Sequence, residues 1–183
     1  MLTDTYYTKD GHKLEIFTDE YAEDPREWDN LCEMICFHNN YALGDKHDLD
    51  PSDYNSWKEM RDAISLPSDI VVPLYLYDHG GITIATKPFG CRWDSGQVGY
   101  AIVPVNKIVL EYGSDSEENR ATALRVLESE VKTYDNYIRG NCYSYTLTDD
   151  NDEILDSCSG FYGHDHEASG LLESAGITKD EVA

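Results

Sequence analysis

The sequence predicts an α+β fold in one domain spanning 1–183: an antiparallel sheet with helices packed mainly on one face, and a short acidic tail from about 177 to 183. Three observations predict it. β-rich or alternating segments are joined through turn signals at Asp10-Gly11, His79-Gly80-Gly81 and the acidic stretch 149–153, which is the pattern of hairpins. Helical spacing recurs between them, most clearly at Leu124, Leu127, Val131, Tyr134 and Ile138. The resulting order is neither the strict β/α alternation of a parallel sheet nor two segregated halves, and 183 residues suffice for a single core.

Leu14 and Ile16 alternate with Lys13 and Glu15 after Asp10-Gly11, so the chain is expected to open on a hairpin. Asp24-Pro25-Arg26-Glu27 reads as a helix start, with Asp24 as cap, Pro25 at the first position and Glu27 completing a capping box. Trp28, Leu31, Cys32, Ile35 and Cys36 then share one stripe, which places both cysteines on a buried helix face. Asp50-Pro51-Ser52-Asp53 repeats the signal, and Tyr54, Trp57, Arg61 and Ile64 continue it as a second helix.

Residues 70–77 and 82–86 read as two strands around the glycine turn, and 97–103 as a third that Pro104 ends or places at an edge. The clearest helix starts near Ser116-Glu117-Glu118 and stops at Gly140. Tyr143, Tyr145 and Leu147 alternate as a strand, 149–153 turns, and Ile154-Leu155 begins the return. A short helix from about His166 to Ala175, closed by Gly176, precedes the tail. Of the 14 tyrosines, Tyr75, Tyr134 and Tyr143 sit in these stripes and are expected in the core.

Charge sets the chain apart. Its 36 acids against 14 bases give a net charge of -22. Residues 1–55 hold 14 acids and 4 bases, 56–148 hold 12 and 9, and 149–183 hold 10 and 1, so two acidic ends flank a nearly balanced middle. Self-repulsion on this scale lowers stability, which points to a compensating use, although solubility or a salt-rich habitat is the plain alternative. The candidate partner-binding residues are Glu20, Glu23, Asp24 and Asp29 near one end, and Asp149, Asp150, Asp152 and Glu153 near the other. Direct nucleic-acid binding is not expected, because phosphate contacts need basic patches.

No apolar stretch approaches the roughly 20 residues of a membrane span, and the start lacks the basic and apolar regions of a signal peptide. The protein is therefore expected to stay in the cytoplasm. Five cysteines, an odd number lying mostly in apolar patterns, read as reduced core thiols.

Candidate chemistry is thin. Cys32-x3-Cys36-x-His38 could join His164-Asp165-His166 around zinc, but the spacing does not match finger patterns. No metal is expected, with Cys36, His38, His164 and His166 the weak candidates. The acidic segment 149–160 lacks the sixth-position glycine of a calcium loop and has Gly160 where a glutamate is needed. Cys91, Asp94 or Ser95 could be a nucleophile with His79 as base, yet no oxyanion donor accompanies them, and a loop packed by Trp93 is the plainer reading. Walker and dinucleotide glycine loops are lacking, so no cofactor, no catalytic residue and no enzymatic activity are expected.

Three stretches carry a resemblance. They are Pro25-Arg26-Glu27-Trp28-Asp29-Asn30-Leu31 running to Cys36-Phe37-His38 and Leu43-Gly44-Asp45; Pro73-Leu74-Tyr75-Leu76-Tyr77-Asp78-His79 running to Trp93-Asp94-Ser95-Gly96-Gln97-Val98-Gly99; and Asp156-Ser157-Cys158 to Phe161-Tyr162-Gly163. Together they resemble small acidic proteins encoded by phages and prophages, some of them similar to anti-CRISPR inhibitors of the type II effector nuclease. The resemblance implies a counter-defence inhibitor in the host bacterial cytoplasm that binds the nuclease or its guide-RNA complex by DNA mimicry. It brings no catalytic residues. An acidic phage protein with a structural or regulatory partner is the alternative, and a metal-binding protein or hydrolase the third.

Overall fold

The computed structural model describes residues 1–178. Its strands form two four-stranded antiparallel sheets accompanied by helices, the α+β class with antiparallel pairing that the sequence predicts. The chain divides into two compact units, Met1–Asp24 with Asn136–Ala183, and Pro25–Asp135.

In the first unit β1 (Leu2–Tyr7), β2 (Lys13–Thr18), β7 (Cys142–Thr148) and β8 (Ile154–Tyr162) lie in the order β1-β2-β7-β8. The opening hairpin forms as expected, with Thr8 and His12 bonded across its turn and Gly11 at φ +87°. Leu14 pairs with Leu147 and Ile16 with Tyr145, so the alternation in both strands builds one apolar face. That face is covered by Leu171 and Leu172 of α4 (Leu171–Ser174), with Ala175 and Ile177. The helix expected over 166–175 is only this short: 165–170 is a turn in which the Asp165 carboxylate accepts the amides of Glu167 and Ala168. Ile177 belongs to this core rather than to a solvated tail, and 179–183 lie outside the described residues.

The second unit orders its strands β3 (Glu33–Cys36), β6 (Ser95–Val103), β4 (Ile70–Asp78), β5 (Ile82–Ala85). Ile35, Tyr100 and Ile102 pack with Trp57 and Ile64 of α1 (Trp57–Ile64) and with Val71. Val98 to Val103 are all buried, so both faces of β6 are covered. The close approach of β3 to β6 requires Gly99, because a side chain there would overlap the Ile35 carbonyl. Gly44 has the same role beside Met34, at φ +71°.

The helix expected from Pro25 is a correction. Pro25–Glu27 is a single 3₁₀ turn, and the chain then extends, pairing Glu33 to Cys36 with Ile102 to Gly99. Trp28, placed on the buried stripe, is 41% exposed, while Cys32 is buried in the bend before β3 and Cys36 on the strand itself. A short apolar run satisfies both periods, and β6 supplies the partner that decides between them. The second helix also begins later than its signal. Asp50 caps a separate 3₁₀ turn at Pro51–Asp53, and α1 has its own cap in Ser56, whose hydroxyl accepts the Glu59 amide. An unexpected helix, α2 (Val105–Tyr112), is framed by Pro104 and Gly113.

α3 (Glu117–Ile138) forms as expected and buries Leu127, Val131 and Tyr134 of its stripe, but Ala123 is buried where Leu124 was expected, Leu124 being 37% exposed and Ile138 half-buried. Its polar side chains also hold backbone amides of loops and of β5 in the second unit. Glu130 accepts the amides of Leu31 (2.7 Å) and Cys32 (2.9 Å), Tyr134 Oη accepts that of Gly44 (2.9 Å), and Asp135 that of Ile84 (2.8 Å).

Candidate functional site

The first unit carries the denser charge. Met1–Asp24 with Asn136–Ala183 hold 17 acids and 4 bases, net -13 in 72 residues, against 19 and 10, net -9, in the 111 residues of Pro25–Asp135. The two ends of the chain share this unit because β2 pairs with β7.

Within the β7–β8 turn, Asp149 Oδ1 accepts the amides of Glu153 (2.8 Å) and Asn151 (2.9 Å), bonds that hold its carboxyl below the usual range. It builds the turn. Asp152 sits at φ +61° with its carboxylate 3.2 Å from Lys13 Nζ, and Asp150 accepts the Asn151 side-chain amide at 3.0 Å. Asp150, Asp152 and Glu153 are exposed and Asp149 is half-buried. The next strand, β8, is exposed on both faces from Ile154 to Gly160 and ends the sheet. Sequence reasoning missed Asp156 on it, which accepts the Tyr145 hydroxyl at 2.5 Å.

The other group is not one cluster by unit: Glu20, Glu23 and Asp24 belong to the first unit and Asp29 to the second. Glu20, Glu23 and Asp29 are exposed and Asp24 is half-buried.

The metal candidates divide likewise. Cys36 is buried and His38 accepts the Asn40 amide, both in the second unit. In the first, His164 Nδ1 bonds Tyr143 Oη at 2.6 Å and His166 Nε2 lies 3.2 Å from Asp4. Among the described residues no three His, Cys, Asp or Glu side chains are grouped to hold a metal ion.

Burial pushes the Cys36 thiol up to about 12 and that of Cys142 to about 11, and raises Cys32 as well. These are core thiols as expected. Cys91 is half-buried and Cys158 on β8 is exposed, against that expectation, and all five are free.

The structure does bring His79, Cys91 and Asp94 together. His79 Nδ1 lies 3.3 Å from Asp94 Oδ2, and the Cys91 thiol donates to the same oxygen at 3.5 Å. Thiol and imidazole share a carboxylate rather than bonding each other, so the nucleophile–base contact of a catalytic triad is not made. Trp93 does not pack this loop as expected: it is 95% exposed. The loop is closed instead by Phe89 against Tyr77 and by the Ser95 hydroxyl on the Cys91 carbonyl. Beside it runs an open cleft of about 390 Å³, whose lining includes Phe37, His38, Asp78, Trp93 and Asp94.

Among the described residues no helix is long and apolar enough to cross a membrane. The chain matches no family model, no curated protein and no solved structure.

Proposed function

We propose that the protein works by binding, through the acidic surface of its first unit, a basic surface of another macromolecule. The observation that carries this reading is the net charge of -13 gathered into 72 residues, with exposed carboxylates at Asp150 and Glu153 beside a strand that ends its sheet. Carboxylates spaced on a sheet can stand in for phosphates in a channel evolved for DNA, and long-range attraction speeds the encounter. The resemblance to phage and prophage proteins makes the DNA channel of a type II CRISPR effector nuclease, alone or with its guide RNA, the partner to test first. In that role the protein is a cytoplasmic counter-defence inhibitor without catalysis of its own.

The test is retention of the purified effector on the immobilised protein, followed by a DNA-cleavage assay. Retention with protection of the DNA is the expected result. An effector that is neither retained nor inhibited would remove the nuclease as partner.

A further inference from the structure

We propose that the cleft beside Trp93 is a binding site for an arginine side chain of a partner protein. Among the described residues Trp93 is the most exposed large apolar side chain, at 95%. The loop that carries it is closed, since the Asp94 carboxylate meets both His79 and Cys91, and the Phe89 ring packs tilted against Tyr77 with centroids 5.7 Å apart. An indole so exposed on a closed loop offers a large apolar surface, and tryptophan is enriched among the residues that anchor interfaces.

The chemistry of the cleft selects the occupant. Its lining is mainly polar, with Trp93 as the exposed aromatic side chain and Asp78 and Asp94 supplying negative charge. Its lining holds no lysine or arginine, and Lys87 and Arg92, exposed on the same loop, lie outside it. Among the described residues the Asp78 side chain has no hydrogen bond or ion pair, whereas Asp94 is committed to His79 and Cys91. Asp78 is thus the carboxylate left to meet a ligand. A guanidinium stacks flat on an aromatic face while giving paired N–H groups to a carboxylate. A lysine ammonium is more strongly hydrated and gains less from the ring. The site lies in the second unit, whereas the acidic surface of the proposed function belongs to the first.

The experiment titrates the full chain with a capped tri-arginine peptide and, separately, a capped tri-lysine peptide at near-physiological salt, followed by calorimetry. Wild type is expected to bind tri-arginine at least tenfold more tightly than Trp93→Ala and several-fold more tightly than Asp78→Asn, and to prefer it over tri-lysine. Asp150→Asn with Glu153→Gln, which removes exposed charge from the first unit, should leave the affinity within about twofold. Circular dichroism confirms that each variant is folded. Trp93→Ala binding as tightly as wild type, an equal loss from the first-unit variant, or no binding at millimolar peptide would each overturn the assignment.

Discussion

The Arg26 side chain is 4% exposed and donates from Nε (3.0 Å) and Nη2 (2.7 Å) to the two oxygens of Asp45, while Nη2 also reaches the Cys32 carbonyl. Asp45 in turn accepts the Met34 amide at 2.7 Å. The pair fixes the approach to β3, a task that sequence reading had given to a helix. Asp45→Asn takes the paired negative charge from a guanidinium that is 4% exposed and should cost about 1–3 kcal/mol. The Arg26→Met, Asp45→Leu double variant should cost clearly less, read from urea midpoints. The thiols give a second test. A raised native pKa means that Cys36 stays protonated when folded but ionises when unfolded above about 9, the ordinary value. Its contribution is therefore whole below about pH 9 and is lost as pH rises toward about 12. Denaturant midpoints should fall over that window, less steeply in Cys36→Ala. At pH 8 a thiol reagent should label Cys158 first, with Cys32, Cys36 and Cys142 reacting only after unfolding.

Elements with their own pairing signals were legible: the hairpins around Gly11, Gly80 and Asp149, and the long stripe of α3. β3 was not, because four residues are too few to show a period and their conformation is set by β6, which lies more than sixty residues away. The Trp93 cleft was hidden for the same reason, since Phe37 and His38 reach it only through that pairing. α2 had readable boundaries in Pro104 and Gly113, and the Ser56 to Glu59 spacing marked the true start of α1. The structure also shows α3 acting as a clamp, which yields a third test. Glu130→Gln deprives the Leu31 or Cys32 amide of its acceptor and should cost about 1–3 kcal/mol, with faster hydrogen exchange at both amides. Glu128→Gln on an exposed face of the same helix should stay within about 0.5 kcal/mol.

At the scale of the whole molecule, composition revealed the size of the charge but not its grouping. The two acidic ends read from the sequence meet in one unit because β2 pairs with β7, and the boundaries shift accordingly, moving Asp29 to the other unit. Asp149 and Asp152 proved to shape and brace their turn, which leaves Asp150 and Glu153 as the acids freer to meet a partner. The central claim is that this unit's charge drives association. Its most direct measurement is the association rate with the type II effector nuclease at about 0.1 M and about 1 M salt, between which the screening length falls from about 10 Å to about 3 Å. The exposed acids Asp10, Glu20, Asp150 and Glu153 are neutralised together and compared with Asp48, Glu111, Glu118 and Glu128, exposed acids of the second unit. The first set should slow association and remove most of its salt dependence, while the second set changes it little. Equal losses from both sets, or a wild-type rate indifferent to salt, would contradict the claim.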